Sequence, residues 1–208
     1  MATRIPQAAS TMRKAPRQAR SRATTDAILD AAAHILGERG WAGLTTNAVA
    51  EAAGASIGSL YQYFPNKLAL IEAVRRRHLE EVLAVLHAAA DPGTPRTRRI
   101  AALVDGMIAV HSRHPRAHRV LLEESPRAED TRVAYDRFEA ECRKGYEAVF
   151  AINTRAAGQD MRIGAQVLAG ALAGAVHEAA RQGTLATPGL RRALIGLVDA
   201  WLSRRRPV

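Results

Sequence analysis

The chain has 208 residues and a formal charge of +10, thirty Lys and Arg against twenty Asp and Glu, a balance that suits a polyanionic partner such as nucleic acid or an anionic membrane surface. A hydrophobic fraction of 48% excludes a disordered chain, and the single cysteine, Cys142, excludes an internal disulfide and a cysteine-rich zinc site. No apolar run follows the basic N-terminus and the longest apolar stretch, around Val167 to Val176, is too short to span a bilayer, so the expectation is a soluble, cytoplasmic protein with no membrane partner.

Residues 1–22 hold Arg4, Arg13, Lys14, Arg17, Arg20 and Arg22 with no acid, which predicts a mobile basic arm in which Met12 is an alternative start to Met1. A solvated tail and a reach to the minor groove or nearby phosphates are equally open readings of that arm. From Ala23 the apolar residues Ile28, Ala31, Ala32, Ile35 and Leu36 recur at helical spacing until Gly40 offers a stop. Thr45 or Thr46 then caps a second helix running to about Ala53, and Gly54 ends it. Ser56 caps a short third helix, Ile57 to Tyr63, closed by Phe64, Pro65 and Asn66. A fourth helix is predicted from Asn66 or Lys67 to about Ala90, with Ile71, Val74, His78, Val82 and Val85 on one face and Asp91, Pro92 and Gly93 as its break.

Ile100, Leu103, Val104, Met107, Ile108 and His111 form the next apolar stripe, and Pro115 opens a brief helix reaching Glu124. Ser125 and Pro126 then cap a longer helix with Tyr135, Phe138, Cys142, Tyr146 and Val149 along one side, interrupted at Asn153 to Gly158. Two last helices follow, from Gln159 to Gln182 and from Pro188 to about Arg205, and no strand pattern or internal repeat is evident. Cys142 sits at helical spacing among apolar residues, which suits a buried structural thiol better than a redox sensor.

Ala50, Gly54 and Leu60 stand where a helix-turn-helix needs a small residue, a turn residue and an apolar lock. Together with Thr45-Thr46 and the string Gly58-Ser59-Leu60-Tyr61-Gln62-Tyr63-Phe64-Pro65-Asn66-Lys67, this stretch resembles the tetracycline-repressor (TetR) family of regulators. The likeness is close over Ala23 to Leu70 and only architectural beyond it. It implies an all-α fold: an N-terminal three-helix helix-turn-helix DNA-binding domain over 23–70, then a larger helical ligand-binding and dimerisation domain over 71–208. The implied function is a sequence-specific DNA-binding transcription regulator, by family default a repressor released from its operator by a small molecule.

By that resemblance Ser56 to Tyr63 is the recognition helix in the major groove. Gln62 suits a bidentate contact to adenine, Ile57 a thymine methyl, and Gly58 a close backbone approach. Thr45, Thr46, Ser59, Tyr61 and Tyr63 offer hydroxyls for phosphate oxygens, Lys67 adds charge at a helix start, and Ser56, at the end of the recognition helix nearest the base edges, counts with them as DNA-binding. The competing reading for Tyr61 and Tyr63 is half-buried packing. The expected partners are a palindromic operator in double-stranded DNA, a second copy of the chain and a small-molecule effector of unassigned identity.

Met107, His111, Tyr135, Phe138, Tyr146 and His177 are candidate effector contacts, with ordinary core as the competing reading. Gly170, Gly174, Leu194, Leu197, Val198 and Trp201 are candidate dimer contacts, with intrachain core as theirs. The spacing of His111, His114 and His118 suits metal ligands, but Pro115 breaks their face, so no metal and no cofactor is expected. No nucleophile elbow, P-loop or dinucleotide fingerprint occurs, so no enzyme is expected. The alternative function is a nonspecific basic architectural DNA-binding protein, which accounts for the charge but not for the helix-turn-helix.

Overall fold

A computed structural model describes residues 12–13, 19–121, 125, 132–151 and 159–203, and among these all regular structure is helical. The order is α1 (Ala19–Gly43), α2 (Thr46–Ala52), α3 (Ile57–Tyr63), α4 (Lys67–Ala89), α5 (Arg96–Ser112), α6 (Pro115–Arg119), α7 (Arg132–Ala151), α8 (Gln159–Gln182) and α9 (Pro188–Ser203). The expected helices all appear; α1 runs on past the expected stop at Gly40, where it kinks, to Gly43, and α6 ends at Arg119 rather than Glu124. Helix α1 begins at Ala19 rather than Ala23, so the last four residues assigned to the arm are helical. Hydroxyls of Thr24 and Thr25 bond back to the carbonyls of Arg20 and Ser21, continuing the helix one turn upstream of the first apolar repeat. Most of the expected arm, the Pro126 cap position and the interruption at 153–158 lie outside the described residues.

The chain forms two compact units. The described residues of 1–77 and 116–133 make the first, and those of 78–115 and 134–208 the second. The expected boundary at 70/71 therefore falls inside the first unit, which also takes in residues from α6 onward. Helix α4 contributes its residues to both units in turn.

In the first unit, Ile28, Ala32, Ile35 and Leu36 of α1 meet Leu44, Val49, Ala50, Leu60, Phe64, Leu70 and Ile71, with Ala117, Val120 and Leu121 completing the core. Arg75 is fully buried there. Its guanidinium bonds Glu72, the carbonyl of Leu121 at 2.9 Å and the hydroxyl of Ser125 at 2.5 Å, and Nε also reaches the Leu121 carbonyl, so each of the three nitrogens meets an acceptor.

In the second unit the core is built from Leu86, Ile100, Leu103, Val104, Met107, Leu168, Leu172, Val176, Leu194, Val198 and Leu202. At Gly106 of α5 a Cβ would lie 2.6 Å from Val85 Cγ1 of α4, so a side chain there would press on α4. Buried Arg99 donates to the carbonyls of Ala89 at 2.9 Å and Val149 at 2.8 Å. These carbonyls end α4 and α7, where a helix leaves acceptors unfilled and favours positive charge. Residues 162–182 of α8 are long and apolar enough in length and composition to cross a membrane, a longer window than the Val167–Val176 run suggested. Leu168, Leu172 and Val176 nonetheless pack into this unit's core.

Candidate nucleic-acid interface

Helices α2 and α3 are held by the capping chemistry legible in the sequence. Thr45 Oγ1 accepts from the Ala48 backbone N–H at 3.2 Å, and Ser56 Oγ accepts from the Ser59 N–H at 3.0 Å. Each satisfies one of the orphan donors at a helix start. Between the helices Gly54 adopts φ 61°, a left-handed backbone that a side chain resists. The Ala55 N–H then bonds the Ala50 carbonyl at 2.9 Å. Leu60 and Phe64 are fully buried and fix the inner side of α3.

The outer side of α3 carries the expected reading residues. Ile57 is 38% and Tyr61 41% exposed, and Gln62 and Gly58 are exposed beside them. Nothing but the Ser56 hydroxyl comes within 4 Å of a Cβ placed at Gly58, so no packing within the chain demands glycine there. Tyr61 OH lies 3.1 Å from Thr46 Oγ1, joining two of the expected phosphate donors across the motif. Ser56 and Ser59 hydroxyls are 2.8 Å apart. Tyr63 is half-buried, its ring tilted against Phe64 at 6.4 Å, so packing claims much of it.

Lys67 is placed differently from the expectation. Its ammonium donates to the Trp41 carbonyl at 2.5 Å and lies 4.0 Å from the Trp41 ring centroid. Partial burial lowers its pKa from the ordinary lysine value. Gly40, at φ 65° and ψ −175°, kinks helix α1 just before Trp41, and Lys67 ties that kink to the start of α4. Sequence reasoning also missed the placement of Met12 and Arg13. The Arg13 N–H bonds the Tyr63 carbonyl at 2.8 Å, and Met12 packs on the first core.

Among the candidate effector residues, Met107 and Tyr146 are core residues and His111 is buried, while Phe138 and His177 are half-buried. The side chain of Tyr135 lies outside the described ones. His111 meets His78 edge-on at 5.1 Å and His177 at 5.2 Å between ring centroids. Burial, with the two neighbouring imidazoles, lowers His78 to about 3, and burial lowers His111 to about 4. Both rings are therefore neutral at pH 7. Burial pushes the Cys142 thiol up to about 12, in keeping with a structural role.

The candidate dimer residues divide. Leu194 and Val198 are buried in the second unit's core, in keeping with the intrachain reading left open for them. Trp201 packs partly on that core, 3.4 Å from a Cβ placed at Gly164. Leu197 is exposed, and Gly170 and Gly174 meet open space. Ile163 and Val167, each 51% exposed, were overlooked. Their spacing with Gly170 and Gly174 marks the face of α8 opposite Leu168, Leu172 and Val176.

Known proteins resemble both halves. The family profile described as "Bacterial regulatory proteins, tetR family" matches residues 28–74, and the "Tetracyclin repressor-like, C-terminal domain" profile matches residues 95–202, more than half of the chain. The HTH-type transcriptional repressor KstR of Mycolicibacterium smegmatis is 33% identical over 88 residues, covering 42% of this chain and 43% of that protein. The chain thus aligns with less than half of that repressor. The fatty acid degradation regulator FadR from Bacillus halodurans shares the fold at a TM-score of 0.66 and 17% identity, over 93% of this chain and 100% of that one. A TetR-like transcriptional regulator from Rhodococcus sp. RHA1 does so at 0.64 and 21% identity, over 92% and 100%. A helix-turn-helix built from caps, a left-handed glycine and an exposed α3 face, joined to a helical C-terminal half and matched at both ends, has one assignment: the chain belongs to the TetR family of DNA-binding transcriptional regulators.

Proposed function

We propose that the protein is a homodimeric repressor that binds a palindromic operator through α3 and leaves it when an effector enters the second unit. The observation that carries this reading is the exposed α3 face, on which Ile57, Gly58, Tyr61 and Gln62 are held outward by buried Leu60 and Phe64. Gln62 suits an adenine edge and Ile57 a thymine methyl, while Thr45, Thr46, Ser56, Ser59, Tyr61 and Tyr63 suit phosphate oxygens. Lys67, engaged with Trp41, supports α4 and leaves phosphate charge to the exposed arginines Arg13, Arg20 and Arg22.

Two recognition helices about 34 Å apart enter successive major grooves, so a dimer sets the spacing. The exposed apolar strip Ile163, Val167, Gly170, Gly174 and Leu197 suits a second copy of the chain, since small residues permit close helix approach. An effector that binds one spacing better than the other shifts the dimer towards it and so opposes DNA binding. The relative named as a transcriptional repressor agrees with a repressing role.

The test is fluorescence-anisotropy titration of the upstream DNA of the protein's own gene against scrambled DNA of equal length at two salt concentrations. Selective, saturable binding at two protomers per site is expected, and Gln62→Ala should weaken it by about 1–3 kcal/mol. Equal affinity for both DNAs overturns the operator reading in favour of the architectural one.

A further inference from the structure

We propose that Arg13, held at the end of α3 by its own backbone, inserts into the minor groove beside each operator half-site and makes the protein select A·T base pairs there. Two independent contacts fix the residue. The Arg13 N–H donates to the Tyr63 carbonyl at 2.8 Å, and Met12 packs on the first unit's core. Tyr63 is the last residue of α3, where a helix leaves carbonyl acceptors unfilled, so the bond fills one of them and joins residue 13 to the recognition helix. Phe64, next in the chain, is fully buried and seats that end of the helix on the core. The Arg13 side chain itself is exposed and makes no ion pair among the described residues. A cation whose backbone is already fixed loses little further freedom on binding.

The direction follows from how a recognition helix docks. Its N-terminal residues approach the base edges of the major groove, so the C-terminal end, where Arg13 is tied, comes out against a phosphate strand, and the groove across that strand is the minor one. Lys67, which starts α4 beside this end, is turned to the Trp41 carbonyl and ring, which leaves Arg13 to supply the cation there. The minor groove shows only the adenine N3 and thymine O2 acceptors at A·T pairs and adds the 2-amino group of guanine at G·C pairs. Its narrow A·T form concentrates negative potential and draws arginine in, and a guanidinium, more weakly hydrated than an ammonium, enters more readily than lysine. Between two phosphate strands Arg13 also keeps its share of the phosphate charge assigned above. The sequence left this reading level with a solvated tail because the tie to Tyr63 is remote in the chain.

The proposal deepens the operator reading above and rests on it, so the two are measured in order. Full-length protein is first titrated with the upstream duplex and with scrambled DNA, and equal affinity ends the operator reading and this one with it. Hydroxyl-radical footprinting then locates the half-sites, and the same operator is made with flanking base pairs that are A·T, G·C or inosine·C, the last lacking the guanine 2-amino group. The parent protein should bind the G·C-flanked duplex about tenfold more weakly than the A·T-flanked one, and inosine·C should restore most of the affinity, because only the minor-groove amino group separates it from G·C. Arg13→Ala should bind all three duplexes alike, and so should Arg13→Lys, which keeps the charge but not the weakly hydrated guanidinium. Gln62→Ala should lower affinity for all three while keeping the flank preference. Selective operator binding that ignores the flanks overturns the proposal and leaves Arg13 a phosphate contact. So does a preference that survives in Arg13→Ala, or one that inosine·C fails to restore, which places the readout in the major groove.

Discussion

Arg75 lies fully buried in the first unit, bonded to Glu72, the Leu121 carbonyl and the Ser125 hydroxyl. Replacing it with Met removes the guanidinium from a buried carboxylate and two backbone-linked acceptors. Arg75→Met should therefore cost about 3 kcal/mol or more in chemical denaturation, and Arg75→Lys, lacking the planar fork, should recover little of it. Cys142 makes the opposite case, a reactive group silenced by its surroundings. With its thiol pushed up to about 12 from an ordinary 9.0, its thiolate fraction at pH 8 falls roughly a thousandfold below that of a free thiol. Iodoacetamide at pH 8 should label the folded protein at least about a hundredfold more slowly than the unfolded one; equal rates would show an exposed thiol. Sequence spacing identified Cys142 as an apolar-face residue, but nothing local marked Arg75 apart from its arginine neighbours Arg76 and Arg77. Only the Leu121–Ser125 segment, some 50 residues on, distinguishes it.

At the scale of elements, the helix-turn-helix was the most legible part of the chain because short-range chemistry writes its boundaries. Thr45 and Ser56 cap α2 and α3 within three residues of themselves, and Gly54 supplies the left-handed turn. Ser56→Ala should cost about 1 kcal/mol of stability. Gly54→Val, which forces a β-branched residue to φ 61°, should cost more and abolish operator binding, read by thermal denaturation alongside anisotropy. Retained affinity in Gly54→Val would show that the turn does not set the pose of α3. Sequence reasoning assigned Lys67 to phosphate because it stands beside the motif. The structure places it under Trp41, since the kink at Gly40 aims that carbonyl at the start of α4. The candidate effector residues were harder to sort, because a buried ligand contact and a buried core residue obey the same helical period.

For the whole molecule, the proposed dimer and the net charge of +10 make separate predictions. Val167→Glu sets a carboxylate in the exposed strip of α8 and should convert the protein to monomers in analytical ultracentrifugation while leaving its helicity unchanged. Operator affinity should fall with it, because each half-site is then bound alone. A Val167→Glu protein that remains dimeric would move the interface elsewhere. Raising salt should weaken operator binding with a log–log slope near the number of phosphates contacted, and Arg13→Ala, at the residue tied to the end of α3, should reduce that slope by about one.

The sequence by itself determined the helical class, nearly every helix boundary and the DNA-binding motif, because caps, glycine stops and apolar repeats act over three or four residues and are written locally. Tertiary structure decided which side of each helix is surface and which distant residues meet. It turned Leu194 and Val198 inward and left Ile163 and Val167 exposed, a choice that depends on which neighbouring helices cover each face. It buried Arg75 and brought His78 and His177 to His111, associations that depend on the packing of remote segments and have no trace in local spacing.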